Sequence, residues 1–235
     1  MSLERIEAEN ITVKYGKRTV LDSFTHTFEP HKIHCVLGPN GCGKTTLVKA
    51  LVSKYASGKD ISYVPQNVYG NVALSVYDTV ALGRYDKSRF FTGLTSEDKE
   101  LVDKAVKDME LEALSDRIFD TLSGGEKQRC MTARALAQNT SWTILDEPSS
   151  SLDIRHNQLT MKKLESLRDN EGKSFIIVLH DVNTAVRFAD SFILMKEGKL
   201  IAVREALDEK ILSEVFDSPF EQISPRDGTS YFCPL

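Results

Sequence analysis

The chain has 235 residues, 41% of them hydrophobic and 27% charged, with 30 basic against 34 acidic side chains and a net charge of −4. That is the composition of an ordinary globular protein, long enough for one large domain or a core with a smaller lobe. It carries no basic footprint for nucleic acid, and its longest apolar run, Phe175-Ile176-Ile177-Val178-Leu179, is far too short to span a membrane. The opening residues, Met1-Ser2-Leu3-Glu4-Arg5-Ile6-Glu7, hold no apolar signal core, so any membrane association is expected to come through a partner. The four cysteines, Cys35, Cys42, Cys130 and Cys233, have no C-x₂-C pairing and read as reduced thiols rather than zinc ligands or disulfides.

In chain order, residues 3–13 alternate weakly, Ile6, Ala8 and Asn10 against Glu7, Glu9 and Ile11, which predicts a strand ending at Tyr15-Gly16. A second strand is predicted through Val20, Leu21, Phe24 and Phe28, stopped by Pro30. Tyr15 is either a plain strand-end aromatic or a platform for a stacked base. His26, His31 and His34 lie close together in sequence, but without a recognisable ligand spacing, so no metal site is expected there.

Ile33-His34-Cys35-Val36-Leu37 is strand-like and runs into Gly38-Pro39-Asn40-Gly41-Cys42-Gly43-Lys44-Thr45-Thr46, after which residues 45–54 are helical in pattern. Gly38, Gly43, Lys44 and Thr45 occupy the fixed places of the phosphate-binding pattern G-x-x-x-x-G-K-[ST], and strand–loop–helix is the context that pattern needs. Its glycines let successive N–H groups turn inward around phosphate oxygens, and the helix N-terminus adds partial positive charge. Lys44 is placed to reach the β- and γ-phosphates, and the Thr45 hydroxyl to ligate Mg²⁺. Binding of a nucleoside triphosphate is the expectation. Cys42 reads as a small residue that fits the loop, with alkylation of its thiol as the sharper alternative.

Residues 57–60 predict a turn, and Ile61-Ser62-Tyr63-Val64 a short strand entering Pro65-Gln66. Residues 75–116 have helical spacing, with Val76, Val80 and Leu82 followed by Leu101, Val102, Ala105, Val106 and Met109. The second half alternates more cleanly. A strand over 142–145 ends in Asp146-Glu147-Pro148, a helix covers 155–168, a strand over 174–179 ends in His180-Asp181, and a helix covers 182–189. Strands at 192–196 and 199–203 flank a Glu197-Gly198 hairpin turn, 207–216 is helical, and the remainder, with Pro219, Pro225 and Gly228, reads as a polar tail. The pattern predicts an α/β fold with an α-helical lobe between two halves of the core.

Gly38, Gln66, Asp146 and His180 each follow the carboxyl end of a predicted strand. Ligands bind at that rim in open parallel sheets, so four distant segments are expected to converge on one nucleotide. Asp146 and Glu147 are adjacent acids at the end of an apolar strand, where an unpartnered pair is costly and a cation is expected. Asp146 suits a Mg²⁺ shell beside Thr45, and Glu147, offset from the metal, could polarise an attacking water. A solvated loop pair is the plain alternative. Gln66 could position water or complete the Mg²⁺ shell, and His180 could bond the γ-phosphate and hold Glu147 in place. A second decisive stretch is Leu122-Ser123-Gly124-Gly125-Glu126-Lys127-Gln128-Arg129. Ser123-x-x-Glu126 is a capping box opening a helix through Met131, Ala135 and Leu136. Two glycines directly after the cap expose backbone N–H groups, making a second anion-binding helix start with no second phosphate loop to fill it.

Together these stretches resemble the ABC ATPases, over nearly the whole chain and in the family's order. Tyr15 is similar to the adenine-stacking aromatic, residues 38–45 to the Walker A loop, Gln66 to the Q-loop and residues 122–126 to the LSGGE signature. Residues 142–146 look like Walker B with Glu147 as the catalytic glutamate, Ser151-Leu152-Asp153 like the D-loop, and His180 like the switch histidine. The resemblance implies a single α/β P-loop NTPase domain over 1–235 with a mainly parallel sheet and a small N-terminal antiparallel β part, its RecA-like core at about 1–66 and 140–235 and its helical subdomain at about 67–139. It implies ATP and Mg²⁺ as cofactors, with Lys44, Gln66, Glu147 and His180 catalytic. ATP contacts are implied for Tyr15, for Gly38, Pro39, Asn40, Gly41, Cys42, Gly43, Lys44, Thr45 and Thr46, and for Ser123, Gly124, Gly125 and Asp153; metal contacts for Thr45, Gln66 and Asp146.

A finer resemblance, in Val80-Ala81-Leu82-Gly83-Arg84, Leu152-Asp153-Ile154-Arg155-His156 and Leu179-His180-Asp181-Val182-Asn183-Thr184-Ala185, is to ATPases of importers for iron-siderophores, haem and cobalamin. Gln66 lies only 22 positions beyond Lys44, shorter than is usual in that family, which implies that antiparallel strands usually found there are trimmed. The implied partners are a second ATPase subunit in a head-to-tail dimer, integral membrane permease subunits and, indirectly, a substrate-binding protein, with no nucleic acid. The implied location is the cytoplasmic face of the inner membrane. Residues 67–90, with Val76, Tyr77, Val80 and Tyr85, are a candidate docking surface, the alternative for the two valines being the lobe's own core. Two other readings stay open: a soluble ABC ATPase driving assembly, as in iron–sulphur cluster biogenesis, and a P-loop kinase, against which the second anion site argues.

Overall fold

The computed structural model describes residues 5–55, 60–66, 73–85, 93–148, 152–223 and 230–235. The turn expected at 57–60, Ser151 of the D-loop-like stretch, both ends of the candidate docking surface, Pro225 and Gly228 therefore lie wholly or largely outside the described residues.

Strands β1 (Ile6–Tyr15) and β2 (Arg18–Phe28) form an antiparallel pair whose register runs from Ile6 opposite Phe28 to Tyr15 opposite Arg18. Among the described residues this sheet has only these two strands, in keeping with the short connection between Lys44 and Gln66. The main sheet comprises β3 (Ile33–Leu37), β4 (Ile61–Val64), β5 (Trp142–Asp146), β6 (Ser174–Val178), β7 (Ser191–Lys196) and β8 (Lys199–Arg204), in the order β4-β5-β6-β3-β7-β8. All neighbours are parallel except β8, which returns antiparallel on β7. Every residue of β3, β5 and β6 is buried, as expected for parallel strands covered on both faces.

The period of two along each strand divides the core between those faces. From β3, Val36 packs with Ile144, Ile176 and Val178 beneath α1 (Lys44–Tyr55) and the β1–β2 pair, whose Leu21, Phe24 and Phe28 complete the cluster. Ile33, Cys35 and Leu37 point the other way, towards α5 (Ile154–Glu171), α6 (Val182–Phe188) and α7 (Glu209–Phe216). A third cluster draws on residues between Val76 and Ala137, from α2 (Val76–Ala81), α3 (Ser96–Asp108), α4 (Gly124–Ala137) and the segment joining α3 to α4. Val76 and Val80 are fully buried there, so they belong to the lobe's interior and not to a docking surface. No described helix is long and apolar enough to cross a membrane.

His34 and His31 make packing and backbone contacts. His34 is sandwiched among Phe28 and Trp142 rings and its Nε2 meets the Glu29 carbonyl at 2.8 Å, while burial lowers its pKa to about 4 and keeps it neutral. His31 meets the Gly172 carbonyl at 2.7 Å.

The expected polar tail instead contributes a second two-stranded sheet. β9 (Phe220–Ile223) pairs antiparallel with β10 (Tyr231–Pro234), and Phe232 enters the core beside α6 and α7 at 2% exposure. The alternation Tyr231-Phe232-Cys233 buries one residue on one face, too short a pattern to separate from loop. Phe232→Ala should cost about 3–5 kcal/mol of unfolding free energy, the usual range for emptying a buried Phe site. Urea unfolding measures it; a loss below about 1 kcal/mol, the range of surface substitutions, would mean the hairpin is not part of the core.

Candidate functional site

The loop after β3 owes its path to two glycines. A Cβ on Gly38, at φ 154°, would lie 2.1 Å from the Met195 carbonyl oxygen, and one on Gly43, at φ 108°, would lie 2.8 Å from that of Val20. Neither place admits a side chain, so the loop can lie flat against β2 and β7. The Cys42 carbonyl then accepts the Gly198 N–H at 2.9 Å, and burial raises the Cys42 thiol pKa, which suits a packed residue more than a nucleophile. Lys44 folds back over the loop, donating to the carbonyls of Gly38 at 2.7 Å and Pro39 at 3.0 Å. No acidic residue stands in the first turn of α1, which leaves its free N–H groups to an anion.

Above this loop lies an open cleft of about 240 Å³, lined by Asn40, Gly41, Gly43, Lys44, Thr45 and Thr46, by Glu147 and His180, and by Arg18 and Val20 of β2. Arg18 is a cleft residue that the sequence reading missed. The available signal was the tight turn at Gly16-Lys17, which sets Arg18 directly opposite Tyr15. Tyr15 itself stands 61% exposed at the end of β1, a free aromatic face beside the cleft.

Three adjacent strand ends supply the acid cluster. Glu147 follows β5 with its N–H on the Val178 carbonyl at 3.2 Å and its backbone in the left-handed region, φ 53°. That turn costs roughly 1 kcal/mol for a residue other than glycine. It aims the carboxylate at both neighbours: Oε2 accepts from Gln66 Nε2 at 2.5 Å, just beyond β4, and Oε1 meets His180 Nε2 at 2.5 Å, just beyond β6. Asp146, one residue earlier, is fully buried. Its Oδ1 accepts from the Thr45 hydroxyl at 3.1 Å and its Oδ2 from the Tyr63 hydroxyl at 3.4 Å.

Burial pushes the Asp146 carboxyl above its usual range, with the Glu147 charge acting in the same direction and the Thr45 bond opposing. No ion pair to Asp146 occurs among the described residues. A buried carboxylate beside a hydroxyl, held by two neutral donors, is a hard oxygen set that fits a small divalent cation. The predicted metal residues thus divide: Thr45 and Asp146 meet, while the Gln66 amide turns to Glu147. No cluster of three His, Cys, Asp or Glu side chains able to hold a metal occurs among the described residues.

The remaining predicted residues lie elsewhere. Ser123 caps α4 in a full capping box, its Oγ accepting the Glu126 N–H while Glu126 Oε2 accepts the Ser123 N–H at 2.8 Å. Those bonds hold the Glu126 carboxyl below its usual range. Asp153 caps α5, accepting the His156 N–H at 2.8 Å. Neither Asp153 nor Ser123, Gly124 or Gly125 lines the cleft of this chain.

The family model described as ABC transporter matches residues 21–150. The chain is 36% identical to the ferric enterobactin transport ATP-binding protein FepC of Escherichia coli, with all of this chain and 95% of that protein covered. It is 33% identical to the petrobactin import ATP-binding protein YclP of Bacillus subtilis, covering 97% of this chain and 99% of that one. Among solved structures, one described as a metal-chelate type ABC transporter in an inward-facing conformation superposes with a TM-score of 0.83 at 27% identity, covering 99% of this chain and 98% of that one.

The buried Asp146 carries a testable stability cost. Its folded pKa lies above the unfolded value, so the folded chain binds a proton where the unfolded chain has released it, and stability falls as pH rises through that interval. Asp146→Asn should therefore raise the unfolding midpoint of the ligand-free protein at neutral pH, and the gain should vanish in acid below the unfolded carboxylate pKa. An unchanged or lower midpoint at neutral pH would contradict this reading of the site.

Proposed function

The chain belongs to the ABC transporter ATP-binding family, whose activity is ATP hydrolysis coupled to transport, and we propose that it energises import of an iron chelate as one half of a head-to-tail ATPase dimer beneath membrane permease subunits. The observation that carries this is the Glu147 carboxylate, held at both oxygens at the lip of the phosphate cleft. The solute class rests on the relatives, which are named for ferric enterobactin and petrobactin.

In the proposed reaction, Lys44 leaves its loop carbonyls for the β- and γ-phosphates, and the N-terminus of α1 adds its N–H groups. Tyr15 stacks on the base and Arg18 faces the phosphates across the same cleft. Glu147 accepts hydrogen-bonding and proton charge from the attacking water, which is where a carboxylate fixed at both oxygens is most useful. His180 holds Glu147 from one side and reaches the γ-phosphate; Gln66 holds it from the other and keeps its carbonyl oxygen free for water or cation. Bound at Asp146 and Thr45, Mg²⁺ would neutralise charge developing between the β- and γ-phosphates.

The helical subdomain at about 67–139 presents Ser123, Gly124 and Gly125 away from the cleft of their own chain, on a helix start with Ser123 and Gly124 exposed. Two copies placed head to tail bring each such helix start to the γ-phosphate held by the other copy, with Asp153 contributing to the same shared site, making two symmetric sites. ATP is then the glue of the dimer and hydrolysis releases it. Tyr85, 38% exposed at the lobe's edge, is the described residue best placed to meet a permease. Tyr77, whose hydroxyl donates to Asp103 at 3.0 Å, is a weaker candidate because it is less exposed. A permease at the cytoplasmic face of the inner membrane would take solute from a substrate-binding protein on the far side.

Mixing two inactive variants, Lys44→Ala and Ser123→Arg, tests the shared site. Each homodimer has both sites broken, whereas a mixed dimer has one doubly broken and one intact site. Verified mixed dimers should occlude ATP at about half the wild-type amount, as one site in two implies. No occlusion above either homodimer would contradict the head-to-tail arrangement.

A further inference from the structure

We infer that Asn183 is a positioning residue for His180, and that the C-terminal β9–β10 hairpin thereby takes part in hydrolysis. Asn183 is three residues beyond His180, on the first turn of α6. Its side-chain amide makes two complementary bonds to one backbone unit of β10: Nδ2 donates to the Phe232 carbonyl at 3.1 Å, and Oδ1 accepts the Phe232 N–H at 2.8 Å. That is the bonding of a neighbouring strand, supplied by a side chain. Phe232 is itself anchored in the core, so the far end of the link is fixed.

The near end needs such a link. His180 lies between the end of β6 and the start of α6, a helix of only seven residues. Asp181 caps that helix through the N–H groups of Asn183 at 3.0 Å and Thr184 at 3.1 Å, which orders the turn but ties it only to itself. Val182, Ala185 and Phe188 anchor one face of α6 in the core. Asn183 holds the first turn from outside that face, against a hairpin that is independently tied to α7 through the Ser213 hydroxyl, which accepts the Phe220 N–H at 3.0 Å. The first turn of α6 is thus clamped from two sides. Released from one of them, it can shift against β6, and the His180 ring moves with it relative to Glu147. A displacement of about 1 Å at a catalytic contact can cost up to roughly a hundredfold in rate.

This inference rests on the role given to His180 above. Steady-state hydrolysis and fluorescent-nucleotide binding are measured for wild type, Asn183→Ala, His180→Ala and the double variant, with slow variants followed in single-turnover mode. Asn183→Ala should lower kcat about tenfold or more while leaving KM and nucleotide affinity within about twofold, the split expected when alignment and not binding is lost. In the His180→Ala background the same substitution should have no further effect, since the two act as one unit. Should Asn183→Ala fail to fold, Asn183→Asp, which still accepts the Phe232 N–H but cannot donate to its carbonyl, carries the same comparison. A wild-type kcat in the Asn183 variant, or an equal loss with and without His180, overturns the inference while leaving the role of His180 intact. Wild-type hydrolysis by His180→Ala would instead overturn the reading of His180, and this inference with it.

Discussion

Glu147 is held at both carboxylate oxygens by groups that come from the two strands flanking its own. Gln66 leaves the end of β4, Glu147 the end of β5 and His180 the end of β6, and these strands are consecutive neighbours in the sheet. Parallel strands lie roughly 5 Å apart, so residues just beyond three adjacent carboxyl ends fall within side-chain reach of one another. The next strand in that order is β3, whose carboxyl end becomes the phosphate loop. Acid, its two holders and the phosphate cradle therefore stand in line along one rim because of strand order, before any side-chain detail is considered. A different order of the same strands would scatter them.

The same rim carries features that oppose folding. Asp146 is buried without a partner cation among the described residues, and Glu147 takes a left-handed backbone conformation. Each costs stability that the surrounding core must offset, and that core is large: β3, β5 and β6 are buried along their whole length. The arrangement makes chemical sense only with a cation and an anion in the cleft, where the carboxylate gains a partner and the freed Lys44 gains phosphate oxygens. Binding of both would offset those costs and couple nucleotide occupancy to the geometry of the rim.

Much of this was legible from residues alone. The phosphate loop, the Asp146-Glu147 strand end, His180 and the Ser123 capping box each have a local signature, and the alternation of apolar strands with helical runs predicted the α/β class. What stayed hidden depended on long-range placement. The insertion of β3 between β6 and β7 is decided by crossovers that local pattern does not encode. Arg18 is an exposed cation on a hairpin until the fold brings it over the loop. Val76 and Val80 looked equally suited to a surface or an interior, because periodicity marks an apolar face without naming what covers it. The terminal hairpin escaped notice because its short strands expose most of their residues and a single aromatic, Phe232, fixes them to the core. Asn183 illustrates the limit most clearly: its amide has meaning only beside a backbone unit 49 residues away.

In the proposed mechanism Glu147 is the carboxylate that activates water, distinct from the Asp146 that answers a cation. Glu147→Gln keeps the shape and volume of the side chain and removes its charge and proton affinity. Measured in one preparation, ATP affinity should stay near wild type while hydrolysis falls by about a hundredfold or more, the loss expected for a positioned base. Hydrolysis near the wild-type rate by that variant, with ATP still bound, would contradict the account at its centre.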